Sequence, residues 1–189
     1  MLEDLSIIEQ SATTILSIKE DLIGPARLQH VTMLDLADLL RQVIFEMGLP
    51  EGVLQTDFAP NLPRVRADAR QLAQVYNNLI KNAWEALTGA GTPQPCICVS
   101  AECAGDGRHV TTRVSDNGPG IPPDIIDKIW VSFFTTKGNR GGTGLGLPAC
   151  QAMVSQAEGK ITVESRPGAG TTFTVSLPAA TDRGDLSSR

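Results

Sequence analysis

The chain has 189 residues, of which 41% are hydrophobic and 20% charged, so it has the size and composition of a globular protein with a substantial core. Its formal net charge of −5 argues against a general nucleic-acid-binding role, because phosphate backbones attract clustered Lys and Arg. No apolar run has the length needed to span a bilayer, and the N-terminus lacks a signal-peptide pattern, so we expect a cytoplasmic chain.

Two helices are predicted in the first fifty residues. From about Leu2 to Leu28 the apolar residues form a narrow seam, which is typical of a helix–helix contact in a bundle. Pro25 breaks or kinks this helix near its end. A second helix is predicted from Leu34 to about Glu46, with Gly48 and Pro50 as stop signals.

A strand near Val53 to Phe58 and a turn from Pro60 to Pro63 precede a long amphipathic helix that begins near Asp68 and contains NNLIKNAWEAL. Its apolar residues share one face at i, i+3, i+4 spacing. A polar stripe runs along one edge of that face, formed by Gln71, Asn78, Asn82 and Glu85. Periodicity alone allows two interpretations of this stripe, a solvated flank or the lining of a site.

The chain then changes to a period of two. CICVSAEC and HVTTRVSD alternate as antiparallel strands joined by the turn AGDGR, and Ile161–Ser165 and Thr171–Leu177 form a second pair. A glycine-rich stretch and a helix from about Leu145 to Ala157 lie between the pairs. This order predicts an α+β two-layer sandwich, with helices on one face of a mixed, mostly antiparallel sheet, preceded by one long helix.

The four cysteines are expected to be reduced and structural. Cys96 and Cys98 lie two residues apart in a predicted strand, and Cys103 and Cys150 follow. No CxxC knuckle or neighbouring histidine accompanies them, which argues against a zinc site.

Three glycine clusters follow the polar stripe, namely DNGPGI at 116–121, GGTGLGL at 141–147 and GAGT at 168–171. The second runs into a helix, where backbone N–H groups and the helix dipole favour a phosphate. The chain has no GxxxxGK[ST] motif, and GTGLG follows a loop rather than a strand, so neither a Walker A loop nor a Rossmann turn fits. Each cluster alone would indicate only a turn.

Together, these segments resemble the ATP-binding domain of sensor histidine kinases. NNLIKNA, DNGPGI, IWVSFFTTK, GTGLGL and GAGTTF are similar, in this order, to that family's N, G1, F, G2 and terminal glycine boxes, over roughly residues 34–178. The family belongs to the wider GHKL group, which includes DNA gyrase, a heat-shock ATPase chaperone and a mismatch-repair ATPase, and the resemblance implies their Bergerat fold. FFTTK and NAWEAL look most like the nitrogen-regulation and C4-dicarboxylate sensor subgroup.

The resemblance implies a catalytic pair on the polar stripe. Asn82 matches the asparagine that holds Mg²⁺ in this family, and Asn78 would face the same phosphates one turn earlier. An amide oxygen suits this hard cation and adds no negative charge beside ATP. Many of these kinases carry a basic residue at the position of Glu85, so here the positive charge would come from the lid and the helix terminus.

Adenine recognition is implied for the first and third glycine clusters. Asp116 matches the residue that accepts the exocyclic amine of adenine, which suits a group that only accepts hydrogen bonds. Gly118 and Gly120 would keep the wall beside the ring thin, and Thr171 would make a water-linked contact behind it.

The lid, Lys137 to Thr143, follows Phe133 and Phe134, which the resemblance places at the lid base. It contains four small or turn-prone residues, Gly138, Asn139, Gly141 and Gly142, and almost nothing apolar to bury, so we expect it to be mobile without nucleotide. Phosphate contacts are implied for Lys137, Arg140, Gly142, Thr143, Gly144, Leu145, Gly146 and Leu147.

The function implied is transfer of the γ-phosphoryl group of Mg-ATP to a histidine on a dimerisation hairpin. ATP-hydrolysing members of the wider group place a glutamate base one turn before the metal-binding asparagine, where this chain has Asn78, an amide that accepts no proton. A non-enzymatic nucleotide sensor or degenerate kinase module stays open as the alternative.

In the family that this chain resembles, the acceptor histidine lies on the first helix of the hairpin and is usually followed by an acidic residue. Neither histidine here fits, because His30 is followed by Val31 at the end of a helix and His109 falls in a predicted strand. Residues 1–32 resemble the second helix of the hairpin, 33–180 the catalytic domain, and 181–189 form a polar tail. We therefore expect a fragment of a longer kinase, whether membrane-anchored or not. Its expected partners are ATP or ADP, the phosphoacceptor domain, a response regulator, and a second copy through residues 1–30.

Overall fold

The computed structural model describes residues 30–105, 107–137 and 142–180, together with Lys19, Ile23 and Pro25. The predicted seam helix apart from Lys19, Ile23 and Pro25, its proposed dimer surface, the polar tail and most of the lid, including Arg140, lie outside the described residues. The expectation of a mobile lid therefore stays a prediction.

Seven strands are described. They are β1 (Val31–Leu34), β2 (Leu54–Phe58), β3 (Val65–Asp68), β4 (Ile97–Cys103), β5 (His109–Asp116), β6 (Lys160–Ser165) and β7 (Thr171–Pro178). Five of them form one sheet in the order β2-β4-β5-β7-β6, and β1 pairs with β3 separately. Within the five-stranded sheet only β2 and β4 run parallel, so the predicted mixed, mostly antiparallel sheet is confirmed.

Three helices pack on the sheet: α1 (Leu36–Met47), α2 (Ala69–Ala90) and α3 (Gly146–Gln156), and a short 3₁₀ helix spans Lys128–Trp130. The two-layer sandwich is thus confirmed. The core lies between α2 and the sheet, because α2 buries one apolar face against alternating strand residues. The most deeply buried members include Val75, Tyr76, Leu79, Ile80, Ile97, Val99 and Val110.

Helix capping explains the boundaries of the first two helices. Asp35 accepts from the N–H groups of Ala37 and Asp38, so α1 begins two residues later than predicted. Asp68 caps α2 in the same way, and it also accepts from the N–H of His30 at 2.6 Å. Asp68 therefore ties the segment before β1 to the start of the long helix.

The small β1–β3 sheet was not predicted. Its strands have four residues each and pair in antiparallel register, with Val31 opposite Asp68. A four-residue strand gives little periodicity, and β3 runs directly into the α2 cap, so its pattern merges with that of the helix.

Within the described ranges, no helix is long and apolar enough to cross a membrane. Among the same residues, no cluster of three or more His, Cys, Asp or Glu side chains is arranged to hold a metal ion. The four cysteines are free thiols, of which Cys150 is buried and Cys103 exposed.

Candidate functional site

Strand pairing brings the first and third glycine clusters together. Asp116 is the last residue of β5 and lies opposite Thr171, the first residue of β7. On its other side Asp116 lies opposite Ile97, the first residue of β4. Two residues that are distant in sequence therefore meet at one end of the sheet, as the resemblance implies for an adenine site.

The Asp116 carboxyl is half-buried and already fixed by the backbone. Its Oδ1 accepts from the N–H of Gly118 at 2.8 Å, and the N–H of Thr171 also donates to the carboxyl. Burial raises the pKa of Asp116 above the usual aspartate value, and these two N–H groups lower it by less. The site thus holds a preoriented acceptor in a partly desolvated place.

Glycines allow the backbone to pack closely around this carboxyl. A Cβ on Gly118 would lie 2.8 Å from Asp116 Oδ1, and one on Gly170 would lie 1.9 Å from Asp116 O. Gly170 also has a φ of 87°, which L side chains rarely adopt. A Cβ on Gly120 would lie 2.2 Å from Arg166 O, so the DNGPGI loop packs tightly on the β6–β7 turn.

Ser165 is a site residue that the sequence analysis missed. Its Oγ accepts from the N–H of Ile121 at 2.8 Å, donates to Gly170 O at 2.9 Å and lies 2.9 Å from Thr171 Oγ1. Ser165 therefore joins the first glycine cluster to the third. A serine at a strand end gives no signal in the sequence for this function.

The polar stripe on α2 is an interior edge rather than a solvated flank. Gln71 Nε2 donates to Gln156 Oε1 on α3 at 3.1 Å, and Asn78 Nδ2 donates to Cys150 Sγ, also on α3, at 3.7 Å. Further along, Asn82 Oδ1 accepts from Lys137 Nζ at 3.0 Å. The stripe thus lines the contact of α2 with α3 and with the base of the lid.

The lid base is held by contacts between the F box and the second glycine box. The N–H of Phe133 donates to Gly144 O at 2.9 Å, and a Cβ on Gly144 would lie 2.5 Å from Phe133 C. The N–H of Leu145 donates to Thr143 Oγ1 at 3.2 Å just before α3 begins. Phe133 therefore anchors the lid base through its backbone hydrogen bond, although the residue as a whole is 72% exposed.

Of the predicted site residues, the structure gathers Asp116, Gly118, Gly120 and Thr171 at the ends of β5 and β7. It gathers a second group along α2, the lid base and the start of α3: Asn78, Asn82, Lys137, Gly142, Thr143, Gly144, Leu145, Gly146 and Leu147. Arg140 is the predicted site residue outside the described ranges.

Comparison with known proteins defines the class to which this fold and site belong. Residues 67–181 match the family model of the histidine kinase-, DNA gyrase B- and HSP90-like ATPases, and the chain belongs to this family.

Within this family the chain is a catalytic domain of the two-component sensor histidine kinase type. The sensory histidine kinase/phosphatase NtrB of Vibrio alginolyticus is 35% identical over 181 residues, which cover 91% of this chain and 51% of that protein. The solved catalytic domain of histidine kinase ThkA is 33% identical with a TM-score of 0.64, over 79% of this chain and 96% of that chain.

Full-length ShkA, solved in complex with AMPPNP, is 28% identical with a TM-score of 0.75, over 95% of this chain and 39% of that chain. These similarities are consistent with the nitrogen-regulation type of subgroup that the F and N boxes indicate. The chain spans about half the length of the curated relatives that it matches first, 51% and 52%.

Proposed function

We propose that this chain binds Mg-ATP and supplies its γ-phosphoryl group to a histidine on a dimerisation hairpin of the same kinase. The observation that carries this proposal is the half-buried Asp116 carboxyl beside Thr171 and two glycines, together with the amide stripe on α2. The first feature suits a purine amine, and the second suits a metal-bound phosphate chain.

The geometry around Asp116 fits adenine. A carboxylate has lone pairs beyond those that the Gly118 and Thr171 N–H groups occupy, so it can accept from the exocyclic amine as well. A side chain on Gly118 would collide with Asp116 Oδ1, so only glycine leaves this face of the carboxyl uncovered. Thr171, only 7% exposed, closes the site behind it.

The donor set on α2 fits Mg²⁺. Asn82 Oδ1 is a neutral oxygen that already accepts a hydrogen bond from a cation, the Lys137 ammonium. When bound, Mg²⁺ would neutralise charge on the phosphates. Lys137 and the backbone N–H groups from Gly142 to Leu147, where α3 begins, would hold the phosphate oxygens.

The same residues favour transfer over hydrolysis. Asn78 lies one turn before Asn82 and its amide donates to Cys150, so it supplies no base for activating water. Phosphoryl transfer needs an in-line nucleophile held in place, and positioning supplies most of the catalysis. His109 is the first residue of a strand and His30 precedes β1, so neither lies on a helix that could present it in a hairpin.

We place the catalytic domain at residues 33–180 and propose the phosphoacceptor hairpin and a response regulator as its protein partners. Nucleotide binding by the chain, measured by calorimetry with ADP and Mg²⁺, is the first test. Saturable binding that weakens when EDTA replaces Mg²⁺ is expected. Absence of binding with correctly folded protein would refute the proposal, and binding without transfer to any hairpin would favour a nucleotide sensor.

A further inference from the structure

Lys137 reaches back from the lid base to two residues of α2. Its Nζ donates to Asn82 Oδ1 at 3.0 Å and forms an ion pair with the Glu85 carboxylate. Asn82 and Glu85 are three residues apart on one helix, so their side chains project from the same edge. One ammonium group thus binds an amide and a carboxylate together.

This ammonium group and a metal ion compete for the same atom. Mg²⁺ binds oxygen at about 2.1 Å, whereas Lys137 Nζ already lies 3.0 Å from Asn82 Oδ1. With both on one oxygen, the two cations would be roughly 4–5 Å apart and would repel each other. Binding of a metal at Asn82 therefore favours departure of the Lys137 ammonium from that oxygen.

We propose that Glu85 is a positioning residue that holds the Lys137 ammonium on Asn82 until a metal–nucleotide complex displaces it. The exchange replaces one cation by another on Asn82 and releases Lys137 toward the phosphates. This inference rests on the proposed function, because it takes Asn82 as the metal ligand and Lys137 as a phosphate contact.

The neighbouring lysine shows what is particular to Lys137. Lys81 also lies near the Glu85 carboxylate, at 3.9 Å, but it projects from α2 itself with 53% of its side chain exposed. The Lys137 side chain is 34% exposed, and it alone of the two donates to Asn82 in the described contacts. Glu85 therefore has one solvated partner and one partner in the site.

The effect of Glu85→Gln on the Mg²⁺ dependence of ADP affinity separates this role from simple repulsion between the Glu85 carboxylate and the phosphates, because the two roles change that dependence in opposite directions. We define the metal enhancement as the affinity for ADP with Mg²⁺ divided by the affinity in EDTA. If Glu85 holds Lys137 on Asn82, Glu85→Gln weakens that hold, and the metal enhancement rises, by about twofold to fivefold for a partly exposed ion pair.

If Glu85 merely repels phosphates, Glu85→Gln helps free ADP more than its magnesium complex, because free ADP carries more negative charge. The metal enhancement then falls. The two accounts therefore predict changes of opposite sign.

The test measures ADP affinity, with Mg²⁺ and with EDTA, by calorimetry on the whole chain. Lys137→Met removes both the lysine held on Asn82 and a phosphate contact, and Glu85→Gln added to it should leave the metal enhancement at the Lys137→Met value, because no lysine is then left on Asn82. Glu85→Asp should stay close to the wild type, since it retains the carboxylate. Lys81→Met is the matched control, which removes a charge beside the same carboxylate and should leave the metal enhancement unchanged.

A metal enhancement that falls or stays constant in Glu85→Gln, or one that rises equally in the Lys137→Met background, would overturn the inference. Either result, with a wild-type chain that binds ADP in a Mg²⁺-dependent way, leaves the proposed function intact. Failure of the folded wild-type chain to bind ADP refutes the proposed function instead.

Discussion

Replacing Asp116 by Asn tests the adenine site while leaving the fold in place. The remaining oxygen of the amide can still accept from the Gly118 N–H, 2.8 Å away in the wild type. The new NH₂ group would face the adenine amine, so a charge-assisted hydrogen bond is replaced by two opposed donors. Hydrogen bonds to charged groups contribute about 1.5–3 kcal/mol, so we expect a loss of about 2 kcal/mol, or roughly thirtyfold in Kd.

The stability of the same variant separates a binding defect from a folding defect. Burial raises the pKa of Asp116 in the folded chain, so between the unfolded and folded pKa values the folded state binds more protons. In that window the free energy of unfolding decreases as pH rises. At neutral pH the ionised carboxyl therefore makes the folded state less stable than a protonated carboxyl would. Asp116→Asn removes this destabilising charge but also one of the two acceptor oxygens that the Gly118 and Thr171 N–H groups use, so its unfolding temperature should stay close to that of the wild type.

Calorimetry with ADP and Mg²⁺, paired with thermal unfolding, checks both expectations. Asp57→Asn is the control, since Asp57 is exposed on β2 and the same chemical change there should leave ADP affinity unaltered. Unchanged affinity in Asp116→Asn would refute the placement of adenine at this carboxyl. Equal loss in both variants would point to a general charge effect.

Three further predictions concern the site and its support. Nucleotide affinity should fall on acidification as Asp116 protonates, beginning above the usual aspartate range because burial raises its pKa, and Asp116→Asn should lack this dependence in a pH series. Gly170→Ala should destabilise the fold by about 2 kcal/mol or more in thermal unfolding, whereas Gly89→Ala in α2, with nothing within 4 Å, should be neutral or stabilising. Tyr76→Phe should cost about 1 kcal/mol in denaturant unfolding, because it removes the buried hydroxyl partner of Thr112.

Long alternating or amphipathic segments could be predicted from the sequence, because their periodicity covers many residues. β5 occupies the predicted residues, and α3 begins one residue later than predicted. The spacing of the polar residues locates the stripe on α2. Only the packing of α3 against it distinguishes the lining of a site from a solvated flank. Which side of a helix faces a neighbour depends on contacts between distant segments, such as Asn78 with Cys150.

Other features of the site depend on such distant contacts entirely. Nothing in the spacing indicates that Lys137 returns to Asn82, fifty-five residues earlier, or that Ser165 joins two glycine clusters. The resemblance marks Glu85 as a departure from the basic residue of related kinases, but the sequence does not indicate its partner. The pairing with Lys137 gives a physical account of that departure, because the positive charge comes from the lid and the carboxylate holds it.

We propose above all that this domain gives a phosphoryl group to a hairpin histidine that lies outside its residues 33–180. The most direct measurement incubates the chain with labelled ATP and Mg²⁺, with and without the histidine-bearing hairpin of its kinase. We expect acid-labile label on the added hairpin, loss of that label with Asn82→Ala, and slow ATP consumption and no stable label when the chain is alone. Acid-labile label on the isolated chain at His30 or His109 would contradict the claim and show a complete kinase of another layout.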